Sequence, residues 1–441
     1  MMRKLSGWGR FPVAECDVVT PRIQDAVRAA IANGPVIARG NGRAYGDSAM
    51  QSAGTIDMRA MNNILSFDPA TGVVEAESGV MLGDLISSFL PHGWFPAVTP
   101  GTKLVTIGGC IASDVHGKNH RRDGSFSRYL DWIDVMDGAG DVIRCNAQSN
   151  SDLFHWTPGA MGLTGVILRA GFRLRPVESG WIAQDTRPAR NLTEAMEIFE
   201  NAESTYSVAW FDCLGRGENL GRSLVMLGDH ARRADLPSSK RDRPFHVPAR
   251  QRRRVPLDAP TMALNRYTLR AFNRMYHWNG SRKAGKTLVD WDSYFYPLDA
   301  LLEWNRIYGR RGFAQFQCVI PLESAKDGLG KLLETIAASG QGSFLAVLKR
   351  LGQQDSPFAF PMEGYTLALD FPVSPTTLAL MQELDAITVD HGGRIYLTKD
   401  SRLSAETLRA SDGRVDGFTA MRADTGLTGK FASGQSERLK L

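Results

Sequence analysis

Residues 38–48, Ala-Arg-Gly-Asn-Gly-Arg-Ala-Tyr-Gly-Asp-Ser, follow directly on the short apolar run Pro35-Val36-Ile37, and no other stretch limits the possible folds as much. Gly40, Gly42 and Gly46 permit positive φ and let a ligand approach bare backbone. Successive N–H groups in such a turn converge on an anion, and Arg39 and Arg43 add positive charge beside it. The loop reads as a pyrophosphate cradle. It lies outside the Rossmann pattern, because Tyr45 stands where the third glycine of G-x-G-x-x-G belongs. An ordinary surface turn shares this composition, so other loops must decide between the two readings.

Two such loops follow. Pro100-Gly101-Thr102 leads through Thr106-Ile107-Gly108-Gly109 into Ser113-Asp114-Val115-His116-Gly117-Lys118-Asn119-His120, and Gly159-Ala160-Met161-Gly162-Leu163-Thr164-Gly165-Val166-Ile167 comes later. Three glycine-rich loops, each beside a β-type run, resemble the flavin-binding domain of the vanillyl-alcohol-oxidase type. In that type, loops hold the FAD pyrophosphate and isoalloxazine.

The length of 441 residues exceeds one core and predicts two domains. A formal net charge of +5 is modest for this length and gives no argument for nucleic acid, though it suits a phosphorylated substrate or an anionic membrane face. Five scattered cysteines without a C-x-x-C pair argue against a disulfide framework or zinc site and fit a reducing compartment. The N-terminus shows no secretory pattern, and no apolar run is long enough to span a bilayer. The expectation is a cytoplasmic protein, soluble or peripheral at the inner membrane face.

Residues 21–33 predict a helix with Thr20 at the N-cap and one buried face at Ile23, Ala26, Val27, Ala30 and Ile31. Strand-like runs at 35–38, 73–78, 131–136 and 164–170 complete an α+β domain. Residues 230–256 then gather nine basic residues among prolines and serines, predicting a mobile loop. That loop is either a solvated insertion or a basic arm for anionic lipid. Runs at 313–320, 344–349 and 365–371 alternate like antiparallel strands, with helices at 322–338 and 376–391 on one face.

Two motifs compete with this reading. Gly280-Ser-Arg-Lys-Ala-Gly285-Lys286-Thr287 satisfies the P-loop expression, but the polar and aromatic run 274–279 precedes it where a buried strand belongs. His116, His120 and Asp114 suggest a metal, yet Gly117 disfavours the helix that i, i+4 ligands need. No metal is expected.

Within the flavoprotein superfamily the likeness is narrower. Gly42-Arg43-Ala44-Tyr45-Gly46-Asp47, His116-Gly117-Lys118-Asn119-His120, Gly162-Leu163-Thr164-Gly165, Ala209-Trp210-Phe211-Asp212, Tyr296-Pro297-Leu298-Asp299 and Thr398-Lys399-Asp400-Ser401-Arg402 resemble the decaprenylphosphoryl-β-D-ribose 2′-oxidase family, in order and over nearly the whole chain. Residues 101–125 carry most of the weight. The resemblance implies a two-domain flavoprotein: an FAD-binding domain of the PCMH type over 1–178, an antiparallel-sheet substrate domain over 179–393, and a return to the FAD domain over 394–441. It implies FAD contacts from Ala38, Arg39, Gly40, Asn41, Gly42, Arg43, Ala44, Tyr45, Gly46, Asp47 and Ser48. Gly101, Thr106, Ile107, Gly108, Gly109, Ser113, Asp114, Val115, His116, Ile167 and Tyr396 complete that set.

Oxidising a secondary alcohol removes a hydride from carbon and a proton from the hydroxyl, and a fixed cation stabilises the charge of reduced flavin. The resemblance implies Lys399 as that cation, while Lys399 and His116 both remain candidates for the base; a merely structural His116 is the alternative. Gln315 and Gln317 share one strand face and suit ribose hydroxyls, with Lys349 and Lys118 near the phosphate or ring. Arginine at position 43, where covalent relatives carry the attachment histidine, implies noncovalent FAD. Ala368 replaces the family's reactive cysteine, and Phe295-Tyr296 departs from its Tyr-His order.

The expected reaction is oxidation of a lipid-linked ribose to its 2-keto form, with quinone or oxygen as acceptor and an NAD(P)H-dependent keto-reductase downstream, toward arabinan for the cell wall. The runner-up is a flavin oxidase or dehydrogenase of a free sugar, alditol or aldonolactone. A flavin-binding protein without catalysis is the third class, and Lys399 and His116 argue against it.

Overall fold

The computed structural model describes residues 1–248, 250–260, 265–343 and 345–441. Position 249 of the basic segment and Phe344 of the second sheet run lie outside the described residues.

Two sheets build the N-terminal part. The smaller has the order Met2–Ser6, Val13–Val19, Thr55–Asp57, Ile37–Arg39; its first pairing is antiparallel and the other two are parallel. The larger is antiparallel, with Val166–Pro176 at its centre between Val73–Glu77 and Leu130–Met136. The connections 40–54, 97–129 and 146–165 between these strands carry the glycine-rich stretches. The first helix runs Gln24–Ala32, begins after Ile23 and has no side-chain cap, so the predicted Thr20 cap is corrected. Its buried residues are Val27 and Ile31.

The third sheet has eight strands, all antiparallel, in the order Gly285–Asp290, Trp181–Ala189, Ser223–His230, Tyr206–Phe211, Ala346–Leu351, Gly364–Pro372, Phe313–Pro321 and Arg394–Ile395. Period-two patterning explains its two faces. Ala314, Phe316, Cys318, Leu348, Leu367, Leu369 and Phe371 enter one apolar core. Leu329, Leu332, Leu333 and Ile336 of Leu322–Ser339, and Leu380, Met381, Leu384 and Ile387 of Pro375–Asp390, meet them at helical spacing. The residues between them on each strand, including Gln315, Gln317, Val347, Lys349, Ala368 and Asp370, face the other way.

After Arg394–Ile395 the chain crosses to the N-terminal part. Leu403, Leu408, Val415, Phe418 and Leu439 pack with Ile37, Ala160, Met161 and Leu163, and Phe431 bridges Val36. This crossing carries the Thr398-Lys399-Asp400 turn to the junction between the two halves.

The segment 230–256, expected as a mobile loop, makes several internal contacts. Leu236 is buried, Lys240 stands 3.7 Å from the Trp181 ring centroid, and Arg241 donates to the carbonyls of Ala234 and Leu236. Arg250 donates to the carbonyls of Tyr296 and Pro297, and Arg254 pairs with Glu303. Charge density forecast a solvated chain because it ignored guanidinium groups acting as internal donors. At the P-loop look-alike, the helix Arg266–Arg282 precedes and the strand Gly285–Asp290 follows, the reverse of strand–loop–helix. Among the described residues no helix is long and apolar enough to cross a membrane.

Candidate active site

A cavity of about 320 Å³ lies between the glycine loops and the polar face of the eight-stranded sheet. The loops interlock. A side-chain carbon at Gly40 would meet Thr106 Oγ1 at 2.1 Å, and the same oxygen caps the helix Ile107–Ala112 by accepting from Gly109 N. Asn41 donates to the Leu104 carbonyl at 2.9 Å, and Arg39 donates to Ser6 O at 2.7 Å. The Arg43 guanidinium lies 4.0 Å from the Trp8 ring centroid, and its Nε is buried without a partner among the described residues. Ser78 Oγ, also in the lining, is likewise unpartnered.

The cavity lining includes Ala38, Arg39, Gly40, Asn41, Gly42, Arg43, Ala44, Tyr45, Ser48, Gly101, Thr106, Gly108, Gly109, Ser113, Val115, His116, Ile167 and Tyr396. Four expected contacts lie behind it. A Cβ at Gly46 would meet the Asp400 carbonyl at 2.2 Å, so this glycine seats the loop on the C-terminal turn. Asp47 pairs with Arg438 at 2.8 Å, and Arg438 also holds Asp400. Ile107 is an apolar core residue. Asp114 accepts from Ser125 Oγ at 2.7 Å, Ser127 N at 2.9 Å and Gln354 Nε2 at 2.7 Å. These residues shape the cradle without lining it. Lys118 is tied to the Tyr294 carbonyl and stands 4.2 Å from that ring, outside the lining. Burial pushes its ammonium down to about 7.

The opposite wall is a lattice of side chains set by strand register. Gln317 pairs with Ala368, which pairs with Val347, while Gln315 pairs with Asp370 and Lys349 with Thr366. Gln315 donates to Asp370 Oδ1 at 2.5 Å, and Oδ2 is buried with no partner among the described residues. Gln317 donates to Thr366 Oγ1 at 3.1 Å and faces His116 Nε2 at 3.4 Å. Tyr45 N donates to the Thr398 carbonyl at 2.9 Å, which brings the first loop onto the Lys399 turn. Lys399 Nζ then stands 3.9 Å from the Tyr45 ring centroid.

Burial dominates the electrostatics. It lowers the Lys399 ammonium below the usual lysine range; Asp370 opposes that shift and Lys349 adds to it. It raises the Asp370 carboxyl, against Gln315 and Lys399. Lys349 is pushed down to about 8 by burial. His116 lies well below 6.5, first from burial and then from Lys349, His120 and Lys399, so its imidazole is neutral near pH 7. Its ring packs against Tyr396 and Phe360, and Nδ1 has no partner among the described residues. His120 is engaged elsewhere, by Gln354 and Gly352 N.

The polar and aromatic lining residues Asp370, Asp299, Ser78 and Trp8 are among those that sequence reasoning missed. Period two through Thr366, Ala368 and Asp370 would have found the first. Asp299 accepts from Thr102 Oγ1 at 2.7 Å and Lys103 N at 2.9 Å, a long-range contact without local signal.

The bare backbone at Gly40, Gly42, Gly108 and Gly109, with Arg39 and Arg43 beside it and Arg43 Nε and Ser78 Oγ open, fits the pyrophosphate-linked dinucleotide FAD.

Residues 18–146 match a family described as FAD binding domain. The chain is 36% identical over 454 residues to decaprenylphosphoryl-β-D-ribose oxidase of Mycolicibacterium smegmatis, an alignment that covers 100% of this chain and 98% of the relative. An uncharacterized protein of Streptomyces coelicolor is 33% identical over 375 residues, 82% of this chain and 100% of the relative. Cytokinin dehydrogenase 9 of Oryza sativa subsp. japonica is 30% identical over 177 residues, 39% of this chain and 34% of the relative.

Proposed function

The chain belongs to the decaprenylphosphoryl-β-D-ribose oxidase family, and on that premise we propose that it oxidises the 2′-hydroxyl of a polyprenyl-phospho-β-D-ribose to the 2-keto sugar. It is an FAD-dependent oxidoreductase acting on a CH–OH group. The observation that carries the reading is the cavity itself, with its glycine cradle on one wall and Gln315, Gln317, Lys349, Asp370 and Lys399 on the other.

Bound FAD supplies the hydride acceptor for the carbinol carbon. Lys399 supplies the fixed positive charge, sustained by Asp370, that a negative charge developing in the cavity requires. His116 is assigned the hydroxyl proton, because it is neutral, lines the cavity and keeps Nδ1 open. Gln317 positions that ring, and Gln315 keeps one oxygen of Asp370 in place. Lys349 offers charge to the substrate phosphate. Ala368 leaves the wall without a thiol.

FAD is held noncovalently in this account: Arg43 occupies the attachment position, and none of the five buried cysteines lines the cavity. Free cysteines agree with a cytoplasmic site, at the inner membrane face where the lipid resides. Quinone or oxygen reoxidises the cofactor, and an NAD(P)H-dependent keto-reductase consumes the product.

Anaerobic mixing of the FAD-loaded protein with polyprenyl-phospho-ribose, and separately with free alditols, tests the proposal. Flavin bleaching by the lipid-linked sugar alone is expected. Bleaching by alditols alone would transfer the enzyme to the runner-up class.

A further inference from the structure

The helix Arg266–Arg282 contains no carboxylate over 17 residues and carries Arg266, Arg270, Arg274 and Arg282, with Lys283 following. Its start is fixed by an Asn265–Thr268 capping box. Its inner face is well anchored. Leu269 and Asn273 are buried, Asn273 donates to Asp212 at 2.8 Å, and Tyr276 lies 4.5 Å from the Trp210 ring. A Cβ at Gly280 would strike the Leu224 side chain at 2.2 Å.

Trp210 is the register partner of Val347, which lines the cavity, so the two share one sheet face. The helix therefore lies on the cavity side of the sheet, beside the substrate wall.

At 100° per residue, Tyr267, Ala271 and Trp278 fall on the line opposite Leu269 and Asn273. Tyr267 is 65%, Trp278 57% and Met275 60% exposed. Arg270 and Arg274 flank that line on one side and Arg282 on the other, with Arg282 over the Trp278 ring at 4.8 Å. Among the described residues these four arginines make no ion pair. Exposed aromatic rings within a carboxylate-free basic field suit the headgroup region of a bilayer, where rings enter the interface and guanidinium groups reach phosphates.

We propose that this outer face docks on an anionic lipid surface and brings the cavity beside it to the membrane. The docking stands on the helix alone. Its link to catalysis rests on the lipid-linked-substrate reading above.

The test is flotation of the full-length, FAD-loaded protein with vesicles of phosphatidylcholine, with and without phosphatidylglycerol and without substrate. Binding to the anionic vesicles alone is expected, weakening as salt rises. The triple variant Arg270→Gln/Arg274→Gln/Arg282→Gln should bind at least about tenfold less. Trp278→Ala should bind severalfold less. Both should keep their FAD and their turnover of a short-chain, water-soluble analogue. Absence of wild-type binding would overturn the proposal, as would unchanged binding of either variant. It would also fail if neutralising Arg252, Arg253 and Arg254 removed binding while the helix variants kept it, or if a protein partner bound this face and anionic vesicles did not. Because no substrate is present, the outcome is independent of which sugar is oxidised.

Discussion

The two walls of the cavity are made of different material. The cradle wall presents backbone, with Gly40, Gly42, Gly108 and Gly109 interlocked through Thr106 and Asn41. The sheet wall presents side chains, with Gln315, Gln317, Lys349 and Asp370 spaced by strand register and completed by Lys399 from the C-terminal turn. A backbone wall recognises shape and phosphate charge, which serves any reaction of the cofactor. A side-chain wall holds charges and donors at set points, which selects the hydroxyl that reacts. Binding of FAD and rate of oxidation should therefore respond to different substitutions.

The largest effect belongs to the sheet wall. Lys399→Ala should slow anaerobic flavin reduction by at least about a hundredfold, the scale of losing one preorganised electrostatic group, with most FAD retained. Near-normal reduction would remove Lys399 from the chemistry. On the cradle wall, Gly40→Ala forces a methyl group against Thr106 Oγ1. An overpacking cost of about 1–3 kcal/mol predicts FAD retention weaker by about tenfold or more, with the rate of any enzyme still loaded close to normal. Equal losses in binding and rate from either variant would break the division between the walls.

A subtler test is pH. Lys399 is charged below its depressed value and neutral above it, so flavin reduction should fall as pH rises, well before the ordinary lysine range. Asp370 opposes the depression, so Asp370→Asn should move that falling limb to lower pH. A limb that stays in place would assign it to another group. The smallest effect on turnover is expected of Ala368→Cys, which places a thiol in the cavity while all five native cysteines are buried. The new thiol should outreact Cys16 and Cys145 severalfold in alkylation followed by peptide mapping. Equal reactivity would mean that this position does not face the cavity.

Local signals explain what the sequence could reveal. The cradle was legible because close approach demands glycine, and the strands 313–321 and 364–372 because alternation exposes two faces. The resemblance implies FAD contacts at Gly46, Asp47, Ile107 and Asp114, and the structure ties these residues to Asp400, Arg438, the apolar core and Gln354, partners far along the chain. Asp370 stayed hidden because its neighbours across the strands define its role, not its own segment. In the basic segment 230–256, arginines bond carbonyls that composition does not show.

The proposed reaction in this cavity is oxidation of the 2′ carbon of a lipid-linked ribose. Stopped-flow reduction of the FAD-loaded protein by polyprenyl-phospho-ribose carrying deuterium only at C2′ tests it most directly. Flavin bleaching should slow severalfold relative to the unlabelled sugar, as expected when that C–H bond breaks in the observed step. Bleaching insensitive to deuterium at C2′ but slowed by deuterium at another ring carbon would contradict the assignment.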